Sequence, residues 1–335
     1  MATRQSDKPL PWGEFELIDT LFAPLARGLA GSFGLKDDVA ALAPKAGHQL
    51  VLKTDSLVES VHFLRQDPAA GVAQKALRRA LSDLAAKGAE PEAYLLAIAL
   101  PETTNRRWLE EFAEGLSRDQ KQFAVALAGG ETNRTPGALT ITITALGWIP
   151  EGALLRRNGA KPGDEVWVTG TVGDACAGLS LLKGTETCAN EAARDYLVAR
   201  YRLPEPRLAF GKALRGIATA SIDVSDGLVA DLGHVGEVSQ VKIEIDSGAV
   251  PLSPELRALW GGGEETVPRA VAAGDDYEIA FTVPPSAASA AEDVARQTAT
   301  RATRIGRVVQ GSGTAVLLDS AAREIHLPRK GYTHF

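Results

Sequence analysis

Short apolar runs recur along both halves of the chain and are separated by segments with helical spacing. In the first half, residues 94–99 (YLLAIA) and 139–148 (LTITITALGW) predict strands, the second with β-branched alternation. Apolar residues recur at helical spacing over residues 14–29, which predicts an amphipathic helix with a kink at Pro24. In the second half a strand at 166–169 (VWVT) precedes another helical segment. This alternation predicts an α/β (α+β) fold in each half.

The length of 335 residues indicates two domains, because single domains usually contain about 100–200 residues. A Pro-Glu-Gly turn at 150–152 follows a predicted strand and marks the boundary. We therefore expect a flexible arm at residues 1–12, an N-terminal domain at 13–150 and a C-terminal α/β domain at 151–335.

Composition excludes several classes of partner. A formal net charge of -6 and a pI near 5.5 argue against broad contact with nucleic acid or anionic lipid. No apolar run approaches the roughly 20 residues of a membrane span, and the N-terminus lacks the apolar centre of a signal peptide. The two cysteines, Cys176 and Cys188, have no metal-binding spacing. We expect a cytoplasmic protein without a membrane or nucleic-acid partner.

Acidic residues stand in short contexts of small and hydroxyl residues, and several end or follow strand-like runs. Such positions place side chains at one rim of a sheet. Two carboxylates about 4 Å apart repel by roughly 4 kcal/mol at an effective dielectric near 20, so a cation is expected among them. Oxygen ligands without a Cys or His cluster favour Mg²⁺ and phosphoryl transfer. The set comprises Asp37-Asp38, Thr54-Asp55, Ser82-Asp83, Gly130-Glu131, the run from Asp223 to Asp226, and Asp275-Asp276.

Taken singly, each acidic motif is more typical of a turn or a helix cap. The chain has neither a Walker-type phosphate loop nor a Gly-x-Gly-x-x-Gly motif that opens a helix. Bound phosphates would then be held by metals and by scattered basic groups. Arg156 and Arg157 could clamp a phosphate or form a solvated pair, and His62 could meet an anionic substrate or be structural.

Taken together, the motifs resemble the thiamine-monophosphate kinase family, within the superfamily of aminoimidazole ribonucleotide synthetase and selenophosphate synthetase. They follow the family order from residue 13 to the last residue. The matching runs are GEFELI at Gly13, GLKDDVAAL at Gly34, TDSLVESVHFL at Thr54, KALRRALSDLAAKGAEP at Lys75, GGETNR at Gly129, RRNGAKPGD at Arg156, VTGTVGDACAGL at Val168, IDVSDGLVADLGH at Ile222, AGDDYEIAF at Ala273 and KGYTHF at Lys330.

This resemblance implies two domains like those of aminoimidazole ribonucleotide synthetase. The N-terminal domain, which would bind ATP and magnesium, would pair across a two-fold axis into a shared barrel of a homodimer. The implied Mg²⁺ ligands are Asp38, Thr54, Asp55, Asp83, Glu131, Asp223 and Asp226. The implied ATP contacts are Gly130, Glu131, Arg157 and Ser225, and the implied thiamine monophosphate contacts are His62, Asp275 and Tyr332.

The implied reaction is transfer of the γ-phosphate of ATP to thiamine monophosphate, which gives thiamine diphosphate. The second pKa of a phosphate monoester is about 6, so its oxygen is already an anionic nucleophile at neutral pH. We therefore expect direct in-line transfer, without a general base and with His62 as a binding group. No catalytic residue is assigned beyond the ligands of metal and phosphate.

The chain departs from the family pattern at several motif positions. Glu131 stands where the family has Asp, Ser60 stands where it has Gly, and Ala273-Gly274-Asp275 replaces Gly-Gly-Glu. Two alternatives follow. One is a catalytically weakened nucleotide-binding homologue, and the other is a different ATP-dependent enzyme of the same superfamily.

Overall fold

A computed structural model of the chain describes residues 13–333, so the arm predicted at residues 1–12 lies outside the described residues. The described chain folds into two compact units. Unit 1 contains residues 13–81 and 91–148, and unit 2 contains residues 82–90 and 149–333. Within residues 13–333, no helix is both long and apolar enough to cross a bilayer.

Eleven helices and eleven strands are labelled in chain order within the described residues. The helices are α1 Glu14–Leu17, α2 Ala23–Ala26, α3 Ala69–Ala86, α4 Arg106–Phe123, α5 Asp174–Lys183, α6 Glu191–Arg202, α7 Leu208–Ala213, α8 Leu228–Ser239, α9 Pro254–Trp260, α10 Thr266–Val271 and α11 Ala288–Gln297. The strands are β1 His48–Val58, β2 Glu90–Pro101, β3 Ala126–Thr135, β4 Thr140–Pro150, β5 Glu165–Thr169, β6 Ala220–Asp223, β7 Val241–Asp246, β8 Ile279–Val283, β9 Ala302–Gln310, β10 Thr314–Leu318 and β11 Glu324–Ile325.

The first helical segment differs from the sequence prediction in its details. It begins at Glu14 as predicted, but a π-helical stretch at Ile18–Phe22 separates α1 from α2. The wide turn ends at Phe22, two residues before Pro24, and Pro24 has no N–H to donate to the preceding turn. The segment ends at Ala26, three residues before the predicted end.

Unit 1 contains a four-stranded sheet in the order β1-β4-β2-β3, with β2 and β3 parallel. Helices α3 and α4 are joined by a buried ion pair, in which Arg78 Nε donates to Asp119 Oδ2 at 2.7 Å. Gln120 of α4 donates through Nε2 to the hydroxyl of Tyr94 in β2 at 3.0 Å. The helix pair therefore covers the face of the sheet that carries Tyr94.

The opposite face of this sheet is uncovered along β1. The even-numbered residues of β1 from 48 to 56 are exposed, among them Leu50 at 43% and Leu52 at 62%. Across from them on β4, Thr144 Oγ1 lies 2.9 Å from Thr54 Oγ1, and Thr142 Oγ1 lies 2.8 Å from Ser56 Oγ. We call this surface of β1 and β4 the open face. Exposed leucines on a regular strand are typical of a surface that meets another protein.

Unit 2 contains a seven-stranded mixed sheet in the order β11-β10-β7-β9-β5-β8-β6. Strands β7 and β10 are parallel, whereas β5, β6, β8 and β9 pair antiparallel with their neighbours. Helix α8 contacts β6, β7 and β10, and its buried face includes Leu228, Leu232 and Val235. Because β6 leads through a short loop into α8, that loop lies at one rim of the sheet.

Replacement of Gly115 by Ala should destabilise unit 1. A Cβ at residue 115 of α4 would lie 2.3 Å from the carbonyl oxygen of Ala70 in α3, so the helices must separate. We expect a loss of about 1–3 kcal/mol in the free energy of unfolding, measured by urea denaturation.

Gly71→Ala is the matched control, because a Cβ at Gly71 in α3 would meet nothing within 4 Å. Alanine has a higher helix propensity than glycine, so this substitution should raise the free energy of unfolding by roughly 0.5–1 kcal/mol. Equal effects of the two substitutions would contradict the close approach of α3 and α4.

Candidate active site

A cavity of about 810 Å³ in unit 1 brings several predicted site residues together. Asp38, Gly130 and Glu131 all line it, and Asp37 stands beside Asp38. Gly130 is paired with Leu96 on the neighbouring strand, where a Cβ at residue 130 would lie 1.8 Å from the Leu96 carbonyl oxygen. Only glycine therefore allows β3 to approach β2 at this point of the cavity wall.

Thr54 and Asp55 point to opposite faces of β1, because successive strand residues alternate. The Thr54 hydroxyl meets Thr144, which lines the same cavity. Asp55 lies on the other face, where its Oδ1 is 3.3 Å from Lys53 Nζ. Within unit 1 the structure thus places Thr54 and Asp55 on opposite faces of β1, and β1 and the strand of Glu131, β3, lie at opposite edges of the sheet.

His62 lies in the turn that follows β1, and its ring orientation is fixed by the backbone. The Val58 N–H donates to His62 Nδ1 at 3.0 Å. The turn requires Ser60 in the left-handed region, at φ 69. Glycine adopts this conformation at little cost, so the glycine of the family pattern would fit this turn without strain.

In unit 2, Asp223 is buried at the end of β6, with 3% exposed, and accepts a hydrogen bond from Ser82 Oγ at 3.0 Å. Burial and, next in size, the negative charge of Asp83 together raise the pKa of Asp223 to about 8. Asp83 and Asp223 therefore lie close enough to repel each other. A cation beside them would relieve this repulsion and favour the ionised form.

The loop between β6 and α8 is held by one carboxylate oxygen. Asp231 Oδ2 accepts three backbone N–H bonds, from Ser225 at 3.0 Å, Asp226 at 3.0 Å and Gly227 at 3.1 Å. Burial raises the pKa of Asp231 to about 7, although these three bonds act in the opposite direction. Asp231 was not predicted as a site residue, although its place in the first turn of a helix just after the Asp-Gly motif is a usable signal.

Two more predicted residues join this loop through their backbones. The Asp275 N–H donates to the Ser225 carbonyl at 2.8 Å, and the Tyr332 N–H donates to the Asp226 carbonyl at 2.9 Å. The Tyr332 side chain is 51% exposed. Unit 2 therefore gathers six predicted residues around one loop. They are Asp83, Asp223, Ser225, Asp226, Asp275 and Tyr332.

The main chain at Arg157 lies between β6 and the end of α8. The carbonyl of Arg156 accepts the Ser221 N–H of β6 at 2.8 Å. The carbonyl of Arg157 accepts a hydrogen bond from Ser239 Oγ at 3.3 Å, and Ser239 is the last residue of α8. The loop stands at the first residue of that helix, and 12 residues rise about 18 Å. The main chain of Arg157 thus lies beside the opposite end of α8.

Within residues 13–333, no three Asp, Glu, His or Cys side chains form a group able to hold a metal ion by themselves. Asp83 and Asp223 occur instead as a pair beside the Ser82 hydroxyl. Such pairs suit an ion that takes its other ligands from water and phosphate.

Comparison with known proteins follows the same division of the chain. Residues 36–149 match the model of the AIR synthase related protein N-terminal domain, and residues 161–319 match that of its C-terminal domain. A thiamine-monophosphate kinase of Caulobacter vibrioides is 39% identical over 327 residues, which cover 97% of this chain and 91% of the relative. The chain belongs to the thiamine-monophosphate kinase family.

Solved structures of this family have the same fold. The thiamine-monophosphate kinase of Stenotrophomonas maltophilia matches with a TM-score of 0.81 and 37% identity, over 91% of this chain and 98% of the other. A structure described as AaThiL complexed with AMPPCP and TMP matches with a TM-score of 0.77 and 32% identity, over 96% and 97% of the two chains. The predicted two-domain α/β fold and the resemblance to this family are confirmed.

Asp231→Ala should destabilise the loop at residues 225–227. The substitution removes the acceptor of three backbone N–H groups, and we expect unfolding to become easier by about 2–4 kcal/mol. Asp231→Asn keeps a carbonyl oxygen as an acceptor, so it should lower the free energy of unfolding by less than Asp231→Ala. The measurement is the melting temperature by calorimetry.

Asp246→Ala serves as the control, because Asp246 Oδ1 accepts one exposed N–H bond, from Gly248 at 2.9 Å. Its effect should be below about 0.5 kcal/mol. If Asp231→Ala melted at the same temperature as Asp246→Ala, Asp231 would not be the residue that holds the loop.

Proposed function

We propose that the protein transfers the γ-phosphate of ATP to thiamine monophosphate and releases ADP and thiamine diphosphate. Its near full-length similarity to thiamine-monophosphate kinases supports this, as does the related AaThiL complex with AMPPCP and TMP. The observation that carries the proposal is the buried Asp223 beside Asp83, next to the loop that holds Ser225 and Asp226. Two repelling carboxylates at the rim of a sheet suit a reaction between anions that needs cations.

We further propose that Mg²⁺ is bound by the acidic set. The donor chemistry fits a hard cation, since the acidic set offers carboxylate and hydroxyl oxygens and no thiol or imidazole group. In unit 1 the proposed donors are Asp38, Thr54, Asp55 and Glu131, of which Asp55 lies on the opposite face of β1 from Thr54, and in unit 2 they are Asp83, Asp223 and Asp226. The ion would supply charge neutralisation for the phosphates.

The chain's own residues then have binding and positioning roles. Ser225 lies in a loop whose N–H groups are fixed by Asp231, so its main chain is held in place beside the proposed position of a nucleotide phosphate. Gly130, Glu131 and Arg157 are the other proposed ATP contacts. Gly130 is exposed at the cavity wall and has no side chain, so a phosphate can approach its backbone there.

His62, Asp275 and Tyr332 are the proposed contacts of thiamine monophosphate. The half-exposed ring of Tyr332 can stack on a flat cationic heterocycle, and the Asp275 carboxylate can balance its charge. His62 Nδ1 is engaged by the Val58 N–H, which suits an orienting role and not that of a phosphoryl acceptor. We therefore propose direct in-line transfer between the two phosphates.

One observation favours a weakened homologue as the second candidate. Glu131, which lines the unit 1 cavity, is one methylene longer than the aspartate of the family pattern. Mg²⁺ tolerates little change in ligand distance. This candidate retains nucleotide binding but makes no ADP that depends on thiamine monophosphate.

Asp83→Asn should abolish turnover while the fold remains intact. The substitution removes one of two adjacent charges that would hold the cation, so kcat/KM should fall about 100-fold or more. The assay is ADP formation with and without thiamine monophosphate at varied Mg²⁺. Asp195→Asn, on the exposed surface of α6, is the control and should keep full activity.

Full activity of Asp83→Asn would overturn the metal assignment. Absence of ADP formation by the unmodified protein, despite nucleotide binding, would favour the weakened homologue. ADP formation with a ribonucleotide substrate in place of thiamine monophosphate would favour another enzyme of the superfamily.

We also propose that the protein is a homodimer that pairs through the open face. The exposed Leu50 and Leu52 give the open face an apolar surface, and the paired strands β1 and β4 give it a regular backbone. A cytoplasmic location remains our proposal. It is supported by the two free cysteines, which suit a reducing compartment.

Leu52→Arg should shift the protein toward monomers in analytical ultracentrifugation. Each dimer would bury two extra charges in an apolar contact, and a rise of at least about 10-fold in the dissociation constant is expected. Val238→Arg, at an exposed apolar position of α8 in unit 2, should leave the mass unchanged. A dimer that is equally tight in both variants would show that the open face is not the interface.

A further inference from the structure

The segment that carries Asp275 has an unusual backbone. Asp275 and Tyr277 are both in the left-handed region, at φ 70 and φ 51, and neither is glycine. Each such residue is held against a local preference for the right-handed form. Two of them within three residues persist only where the surrounding contacts fix the chain.

Main-chain hydrogen bonds provide the first of these contacts. The Tyr277 N–H donates to the Val224 carbonyl, the Val224 N–H donates to the Glu278 carbonyl, and the Asp275 N–H donates to the Ser225 carbonyl, each at 2.8 Å. The segment is thereby joined through its backbone to Val224 and to the loop that follows it.

Asp276 and Glu278 provide buried anchors on the inner side of the segment. Asp276 Oδ2 accepts the Gly173 N–H at 2.7 Å, just before α5. Glu278 accepts two bonds from Arg207, at 2.6 and 2.7 Å, and one from Arg200 at 2.8 Å. Charge-assisted bonds of this kind are strong and directional, so the backbone at residues 275–278 has one arrangement.

Tyr277 connects this fixed arrangement to Asp275. Its side chain is buried, with 3% exposed, and its hydroxyl donates to Asp275 Oδ1 at 2.9 Å. A ring that is locked by packing holds its hydroxyl at one point. The Asp275 carboxylate is therefore oriented by a group that is itself immobile.

We propose that Tyr277 is a positioning residue for substrate recognition. This proposal rests on the proposed function, in which Asp275 contacts thiamine monophosphate. The Tyr277 hydroxyl fixes the Asp275 carboxylate so that its charge meets the cationic part of the substrate without a loss of side-chain freedom on binding. Because Asp275 is not among the proposed ATP contacts, the consequence should be specific to thiamine monophosphate.

The test is steady-state kinetics of Tyr277→Phe, which removes one hydroxyl and keeps the ring. We expect the KM for thiamine monophosphate to rise about 5- to 20-fold, while kcat and the KM for ATP stay within about twofold. Tyr94→Phe, which removes another buried hydroxyl that accepts from Gln120, is the matched control and should change neither KM. An unchanged KM for thiamine monophosphate in Tyr277→Phe overturns the proposal.

A double-mutant cycle separates positioning from a general structural effect. In an Asp275→Ala background there is no carboxylate to orient, so Tyr277→Phe should change the substrate dissociation constant by less than about twofold. The constants are measured calorimetrically with the AMPPCP-bound protein, so the cycle does not depend on turnover. An equal loss in both backgrounds also overturns the proposal. If the unmodified protein neither binds nor phosphorylates thiamine monophosphate, it is the proposed function that fails.

Discussion

A carboxylate that is buried next to a second carboxylate is unfavourable, and unit 2 contains such a pair in Asp83 and Asp223. Burial and the neighbouring charge both raise the pKa of Asp223. The structure places Asp223 there through two elements, the end of β6 and the last turn of α3, from which Ser82 also donates. The proposed function follows from this pair, because a divalent cation that carries phosphate is the partner that would make both charges favourable.

The surrounding loops are ordered by groups that do not themselves take part in the proposed chemistry. Asp231 holds the loop at residues 225–227, and Asp276 and Glu278 hold the segment that contains Asp275. Both segments are also joined to each other by backbone hydrogen bonds. Preorganisation of this kind lets polar groups meet charged ligands without rearrangement.

Sequence reasoning predicted the parts of this arrangement that depend on local patterns. The apolar run at 94–99 lies inside β2, and the run at 139–148 lies mostly in β4. Both are predictable because the apolar pattern of a strand reflects which of its faces are buried. The π-helical stretch before Pro24 and the left-handed Ser60 depend on backbone geometry that hydrophobic periodicity does not encode. The opposite orientation of Thr54 and Asp55 does follow from strand alternation, once the extent of β1 is known.

The sequence predicts the site as a set of acidic residues. It does not predict the residues that orient them. Asp231 and Tyr277 lie within recognised motifs, yet their roles appear only when a carboxylate and its donors are placed in three dimensions. Arg157 illustrates the opposite case, because a basic residue in a motif gives no sign of which end of α8 its main chain adjoins. Spacing along a sequence identifies candidates, whereas the directions of hydrogen bonds identify what orients them.

The central claim is that Asp223 and Asp83 together hold a divalent cation that carries nucleotide phosphate. The most direct test is calorimetric titration of the protein with Mg²⁺ and AMPPCP at about pH 6.5, in two buffers with different ionisation enthalpies. Because the raised pKa of Asp223 keeps this carboxyl protonated before the cation binds, binding should release close to one proton more from the wild type than from Asp223→Asn. Identical proton release from the two proteins would contradict the account.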